Sequence, residues 1–104
     1  MFDIHTRYAT YPDCSFSVNK YANNNHIAIS IVSAEGPISN LTVNIDRIEK
    51  YPEDCSCVDT NNFPEGTELI KKLSIGEPCG ILSSGYCIYP VYKFDIEKVK
   101  EFTK

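Results

Sequence analysis

The amino-acid sequence predicts an α+β protein in which an antiparallel meander of about four to six strands carries two short helices on one face or at one end. Two stretches, residues 26–32 and 41–46, alternate apolar and polar side chains with the two-residue period of a half-buried strand. Turn-forming residues separate these stretches. Leu69, Ile70 and Leu73 stand at helical spacing, which adds a helix to the sheet.

The first part of the chain predicts an extended opening followed by a strand. Phe2, Ile4 and Tyr8 are the apolar residues of the opening. Residues 11–13 are Tyr-Pro-Asp, and they predict a break because the residue before a proline avoids the helical region. Residues 15–19 then alternate as a strand.

Two further strands complete the predicted meander. Residues 23–25 are three asparagines, which tolerate left-handed backbone angles and indicate a hairpin turn. The strand over residues 26–32 places three isoleucines on one face, and their β-branched side chains suit a packed sheet. A turn over residues 34–37 leads to a third strand over residues 41–46.

The middle of the chain predicts a loop, a strand and a helix. Residues 47–54 are charged and indicate a loop or a single helical turn. Residues 55–59 form a further strand, with the two cysteines and the aspartate on one face. Asn61 or Asn62 is expected to cap the helix, with Pro64 in its first turn. Gly76 is expected to close it.

The last part of the chain predicts a turn-rich segment over residues 77–84, followed by a strand or strand pair over residues 86–94. Pro90 implies an edge or a break in that strand because proline cannot donate to a ladder. Asp95 is expected to cap a closing helix with an apolar face. The whole chain, residues 1–104, is therefore predicted to form a single domain.

The charge balance favours a protein partner over nucleic acid. Ten basic against fourteen acidic residues give a net charge of −4 and a pI near 5.0. Affinity for phosphates comes from Lys and Arg, so direct sequence-specific nucleic-acid binding is not expected. An acidic protein instead suits a basic partner surface.

The N-terminus has no charged region followed by an apolar one, and no apolar run is long enough to cross a bilayer, so we expect a cytoplasmic protein without membrane contact. Five cysteines in such a chain are expected to be reduced thiols. Cys55, Cys57, Cys79 and Cys87 offer four thiolates for zinc, but their spacing differs from that of zinc knuckles. Buried thiols are the favoured interpretation, and neither a metal nor a cofactor is expected.

A thiol nucleophile needs a histidine and an orienting group beside the cysteine. Cys87, His26 or His5, and Asp59 supply those residue types, as many small proteins do. The sequence has no glycine-rich phosphate loop and no Gly-x-Ser-x-Gly elbow. We therefore expect no catalytic residues and a protein that is not an enzyme.

Nine polar or aromatic residues are candidates for contact with a partner protein. They are Glu49, Glu53, Asp54, Asp59, Asn61, Asn62, Tyr86, Tyr89 and Tyr92. The polar run over residues 59–62 also suits a helix cap, and the acidic set also suits a solvated loop; these simpler interpretations are favoured. The three tyrosines cannot all face one way on a regular strand, so at least one is expected at the surface, where tyrosine is a good interface anchor.

Three groups of residues carry a resemblance to a known family. They are Leu41-Thr42-Val43-Asn44, Val58-Asp59-Thr60-Asn61-Asn62 with Pro64-Glu65, and Ser84-Gly85-Tyr86-Cys87 with Tyr89-Pro90 and Tyr92. Over about residues 26–94 the chain resembles an uncharacterised domain family carried on conjugative and other mobile elements of Gram-positive gut bacteria. Members of this family are small α+β proteins without an assigned activity.

Some members resemble anti-CRISPR inhibitors, which implies a function. The resemblance implies a non-enzymatic inhibitor that binds the RNA-guided nuclease of a type II CRISPR system in the bacterial host cell and blocks guide RNA loading or DNA binding. The alternative is an accessory protein of conjugation or plasmid maintenance that binds another protein. The expected partner is the defence nuclease or its guide RNA complex, and the protein itself is expected to be a monomer or a weak homodimer.

Overall fold

The computed structural model describes residues 2–103 and confirms the α+β class. The first sheet contains, in spatial order, β1 (Phe2–His5), β2 (Thr10–Lys20), β3 (Ile27–Ser33) and β4 (Gly36–Asn40). The second has the spatial order β5 (Thr42–Val43), β6 (Cys55–Val58), β8 (Cys87–Phe94) and β7 (Gly76–Ser84). A 3₁₀ helix (Asp46–Lys50) precedes β6, α1 (Gly66–Leu73) joins β6 to β7, and α2 (Ile96–Lys100) follows β8.

The prediction of one sheet was therefore wrong in detail, because the strands divide between two antiparallel sheets of four. β2, β3 and β4 do form a meander, but its third strand is Gly36–Asn40, upstream of the stretch that the sequence predicted. The Leu41 amide donates to the Ile29 carbonyl at 2.9 Å, and the Leu41 carbonyl accepts from the Asp59 amide at 2.9 Å. The chain thus passes from the first sheet to the second at Leu41.

The predicted break at residues 11–13 is absent, since β2 runs through it. Asp13 has a φ of 52°, and the pairing of β1 with β2 shifts register between Phe2 and Ile4, so the strand absorbs the irregularity as a bulge. Within β2, only Ser15–Lys20 pair with β3, so Pro12 lies where β2 has a neighbour on one side. The asparagine turn at residues 23–25 is confirmed.

Residues 77–84, predicted as turn-rich, instead form most of the nine-residue strand β7. A register shift between Pro78 and Gly80 accommodates the proline and glycine that suggested a turn. β7 and β8 are joined at Gly85, which has a φ of 61°. Pro90 pairs with β7 only, because β6 pairs with Val91–Lys93. At Pro90, β8 therefore has one unpaired side, where a residue without an N–H is tolerated.

The ends of α1 also differ from the prediction. Its N-cap is Glu65 without a side-chain hydrogen bond, so neither Asn61 nor Asn62 caps it. Ser74, with a φ of 55°, takes the left-handed C-cap position that was assigned to Gly76. Gly76 begins β7, where a Cβ would lie 2.9 Å from the Lys93 carbonyl oxygen, so this glycine permits close approach of two strands.

The closing helix agrees with the prediction. The Asp95 carboxylate accepts a hydrogen bond from the Lys98 amide at 3.2 Å and caps α2. Val99 is buried, and Phe102 packs against the rings of Phe2 and Phe16 with centroid distances of 5.8 and 6.2 Å. No helix among residues 2–103 is long and apolar enough to cross a membrane.

Two hydrophobic clusters stabilise the fold. The first joins the first sheet to Val58 and Phe94 of the second sheet and to Ile70 of α1. The second lies against the second sheet and the 3₁₀ helix; its buried members are Ile45, Ile48, Cys55, Cys57, Leu82, Tyr89 and Val91. β6 is buried along its whole length because Cys55 and Cys57 face the second cluster while Val58 faces the first, as the predicted alternation requires.

Candidate functional site

A cleft of about 1020 Å³ lies between α1 and the adjoining ends of β7 and β8. Four carboxylates and two lysines line it. These charged residues are Asp54, Glu68, Glu77, Asp95, Lys71 and Lys93. The cleft is therefore acidic overall, and we refer to this set as the acidic cleft.

Backbone hydrogen bonds hold the loop that brings Asp54 to the cleft. The Asp54 carbonyl accepts from the Phe94 amide at 2.9 Å, and the Glu53 carbonyl accepts from the Ile27 amide at 3.0 Å. One bond reaches the second sheet and the other the first, so the loop is fixed between them. Glu68 stands on α1 and Glu77 on β7, which are regular elements. The backbone that carries these carboxylates is thus fixed before any partner arrives, which lowers the entropy cost of binding.

Apolar side chains form part of the remaining lining of the acidic cleft. Pro78, Tyr92, Phe94 and Ile96 contribute to it. Tyr92 is half-buried and packs against the first hydrophobic cluster, so its ring is held by the core. The cleft therefore offers carboxylates around an aromatic surface, an arrangement that suits a cationic side chain with an apolar stem.

The nine candidate residues do not form one surface. Asp54 and Tyr92 line the acidic cleft. Four more are exposed outside its lining: Glu49, Glu53, Asn61 and Asn62. Tyr86 is fully exposed at the turn between β7 and β8, whereas Asp59 and Tyr89 are only 5% and 8% exposed. The role of these residues in partner binding stays a prediction, and the buried pair offers a partner little surface.

The sequence did not single out Glu68, Glu77 or Asp95 as site residues. Glu68 resembles any acidic residue near the start of a helix, and Glu77 fell in a segment that was predicted as turns. Glu68 and Glu77 share the cleft with Asp54 because α1 packs beside β7. Asp95 follows Phe94, whose amide donates to the Asp54 carbonyl. No local pattern indicates that contact.

The buried Asp59 has a structural role. Its Oδ1 accepts from the Asn62 amide at 3.2 Å, and its Oδ2 accepts from the Asn62 Nδ2 at 3.0 Å. The Asp59 carbonyl accepts from the Phe63 amide at 2.8 Å. The polar run therefore stabilises the turn that leads into α1 and does not cap the helix, as the sequence had suggested it would.

The second sheet carries four thiols, those of Cys55, Cys57, Cys79 and Cys87. Burial raises the pKa of the two that lie on β6. Burial, with a contribution from Cys79, raises the pKa of Cys55 to about 12, and burial also raises the pKa of Cys57 to about 11. Both groups stay protonated near neutral pH, which disfavours them as nucleophiles. The pKa of Tyr89 is also raised. A hydrogen bond with Cys87 is the main cause, and burial is the second.

The Sγ atoms of Cys55 and Cys79 are 3.9 Å apart, and all five cysteines are free thiols. β6 and β7 lie on opposite sides of β8, so their backbones are separated by two strand spacings, about 9.6 Å. A disulfide requires Cα atoms within about 6.8 Å. The two thiols therefore touch across β8 without being able to join unless the backbone moves. Among residues 2–103, no three or more His, Cys, Asp or Glu side chains are grouped so as to hold a metal ion.

The residues of the suggested thiol nucleophile have other partners. His26 is buried, and its Nδ1 lies 2.7 Å from the Cys55 carbonyl oxygen as a hydrogen-bond donor. The Asp59 carboxylate is bound to Asn62. These hydrogen bonds give both side chains a structural role.

The fold and the cleft define a small α+β protein of two antiparallel sheets with an acidic cleft beside its first α-helix. Residues 15–104 match a family described as a domain of unknown function, DUF4313, and the chain belongs to that family. No curated protein and no solved structure matches the chain. The family description assigns no activity, so an inhibitory role belongs to the proposal that follows.

Proposed function

We propose that the protein is a non-enzymatic inhibitor that binds a basic surface of a macromolecular partner through the acidic cleft. One observation carries the proposal: four carboxylates and two lysines line a single cleft, and α1 and β7 contribute to its walls. The excess of negative charge is local as well as global, since the chain has a net charge of −4.

The size and chemistry of the cleft suit a segment of a protein. Its volume of about 1020 Å³ lies at the upper end of the range for pockets that hold drug-sized ligands. A lysine or arginine from the partner would pair with Glu68 or Glu77 while its stem packs on Tyr92. Complementary charge speeds encounter and fixes orientation, and it makes binding sensitive to salt.

The partner we propose is the RNA-guided nuclease of a type II CRISPR system. This choice rests on the resemblance of the sequence motifs to a family with anti-CRISPR-like members. Such nucleases hold the guide–target heteroduplex in a positively charged channel. An acidic protein bound at that channel would block guide RNA loading or DNA binding at one copy per nuclease, without turnover.

A pull-down with purified nuclease tests the proposal, with and without guide RNA. We expect the nuclease to retain the protein at moderate salt in at least one of these states. The double variant Glu68→Lys with Glu77→Lys reverses two cleft charges and should weaken retention by roughly tenfold or more, at up to about 1 kcal/mol per pair.

The control is Glu35→Lys, which reverses one exposed carboxylate in the turn between β3 and β4, half the charge change of the double variant. It changes the net charge of the chain but leaves the acidic cleft intact, so retention should stay near that of the wild type. Equal losses in the control and the cleft variant would reject the cleft as the binding site. No retention in either guide state would reject this nuclease as the partner.

A further inference from the structure

The turn end of the β7–β8 hairpin carries an exposed apolar surface. Ile81, Tyr86 and Ile88 are 68%, 108% and 66% exposed. We call these three residues the hairpin patch. Exposing two isoleucines and a tyrosine together is unfavourable in water unless another surface covers them.

The strand register places the two isoleucines on the same face of the sheet. Ile81 pairs with Pro90, and Ser83 pairs with Ile88, so Ile81 and Ile88 are diagonal neighbours. Leu82 points to the opposite face, where it is buried in the second hydrophobic cluster. Ile81 and Ile88 thus share an exposed face of the sheet whose other side is already covered, and Tyr86 lies in the adjoining turn.

The hairpin patch lacks charge, which limits the kinds of surface that can cover it. Residues 79–92 contain no Asp, Glu, Lys or Arg, although charged residues make up 23% of the chain. Two copies of a chain with a net charge of −4 repel one another, and this repulsion is weakest where both present this segment, which carries no charged residue of its own and is bordered by the Arg47 guanidinium at Ser83. A basic partner finds no carboxylate here, so the matching surface is an equally uncharged, apolar one. A second copy supplies that surface.

The contact uses the face of the hairpin and not its edge. β7 is the outermost strand of the second sheet, and an open edge invites pairing with another strand. The Arg47 guanidinium donates through Nη2 to the Ser83 carbonyl oxygen and lies 3.2 Å from the Ser83 hydroxyl. That carbonyl on β7 is therefore already occupied. Strand addition there would first have to displace Arg47.

We propose that the hairpin patch is the contact surface of a symmetric homodimer. Its three residues expose on the order of 500 Å² per copy, so a two-fold contact buries about 1,000 Å², the range of weak, transient interfaces. Tyr86 acts as the anchor because an aromatic ring buries a large area at low entropy cost. The dimer goes beyond the proposed function, since it involves neither the acidic cleft nor the nuclease.

Sedimentation velocity of the purified full chain tests this proposal over roughly 5–500 µM, a range that brackets a micromolar Kd. We expect the dimer fraction of the wild type to rise with concentration. Ile81→Glu and Ile88→Lys each place a charge on the hairpin patch, and each should raise the Kd at least tenfold. The control Tyr8→Glu introduces a charge at a tyrosine that is 87% exposed outside the hairpin patch, and its Kd should match that of the wild type.

Circular dichroism and urea melts of the same samples establish that the variants are folded. A wild type that stays monomeric throughout the range would overturn the proposal. So would folded Ile81→Glu and Ile88→Lys variants that dimerise as the wild type does. Because the experiment contains no nuclease, a failed dimer leaves the test of the acidic cleft unaffected, and a failed pull-down leaves this test unaffected.

Discussion

The hydroxyl of Thr42 joins the two sheets, and replacing it gives a sharp test of the fold. Thr42 belongs to β5 and is 3% exposed. Its Oγ1 accepts from the Ile29 amide of β3 at 3.0 Å and lies 2.8 Å from the Tyr21 hydroxyl, just beyond β2. Thr42→Val keeps the shape of the side chain and removes both hydrogen bonds.

The cost of Thr42→Val follows from the burial of its partners. Ile29 is 1% exposed, so its amide loses its acceptor where water cannot replace it, at about 1–3 kcal/mol. Tyr21 is half-buried and can turn toward water, which adds less than about 1 kcal/mol. The expected loss in the free energy of unfolding is therefore about 1–4 kcal/mol, with a middle value of about 2.5 kcal/mol. Thr42→Ser keeps the hydroxyl and loses one methyl group, at about 1 kcal/mol.

Urea unfolding followed by circular dichroism measures both losses. A Thr42→Val variant that is as stable as Thr42→Ser, or more stable, would refute the assigned hydrogen bonds. Tyr21 provides an independent readout, because burial raises its pKa and the hydrogen bond with Thr42 partly offsets that rise. Removing the hydroxyl should raise the pKa of Tyr21 further, as measured by NMR titration of labelled tyrosine side chains.

Three other predictions concern the second sheet. Cys79 is exposed while Cys55 and Cys57 are buried, so a thiol reagent should label Cys79 faster than that pair, and Cys79→Ser should remove its fast phase. The raised pKa values of the buried pair mean that the folded state holds those protons more tightly, so the urea midpoint should fall as the pH rises from about 9 towards 12; a flat profile would contradict this. Gly76→Ala should lower stability by about 1–3 kcal/mol in thermal melts because its Cβ would crowd the Lys93 carbonyl, and an unchanged midpoint would count against that packing.

The sequence predicted the elements whose formation depends on neighbouring residues, such as alternating apolar side chains in a strand or a capping residue before a helix. The alternating isoleucines of residues 27–31 form β3, and Asp95 caps α2, as expected. The division into two sheets was not predictable in this way, since it depends on hydrogen bonds from Leu41 to residues far along the chain. Pro78 and Gly80 concealed β7 because a bulge accommodates them, an arrangement that turn propensity does not anticipate.

The candidate site was predicted only in part for the same reason. Asp54 and Tyr92 line the acidic cleft, and both had been singled out from the sequence. Glu68 and Glu77 are brought to the cleft by the packing of α1 beside β7, which no short motif encodes. Asp59 was attractive as part of a polar run, but its carboxylate is buried in a turn.

The most direct measurement is calorimetric titration of the purified RNA-guided nuclease with this protein at low and at raised ionic strength. If the acidic cleft holds a basic surface, the titration gives one protein per nuclease and an affinity that weakens as salt increases. The Glu68→Lys with Glu77→Lys variant should lose most of both the affinity and its salt dependence. Binding that is indifferent to salt and to these two charges would contradict the account.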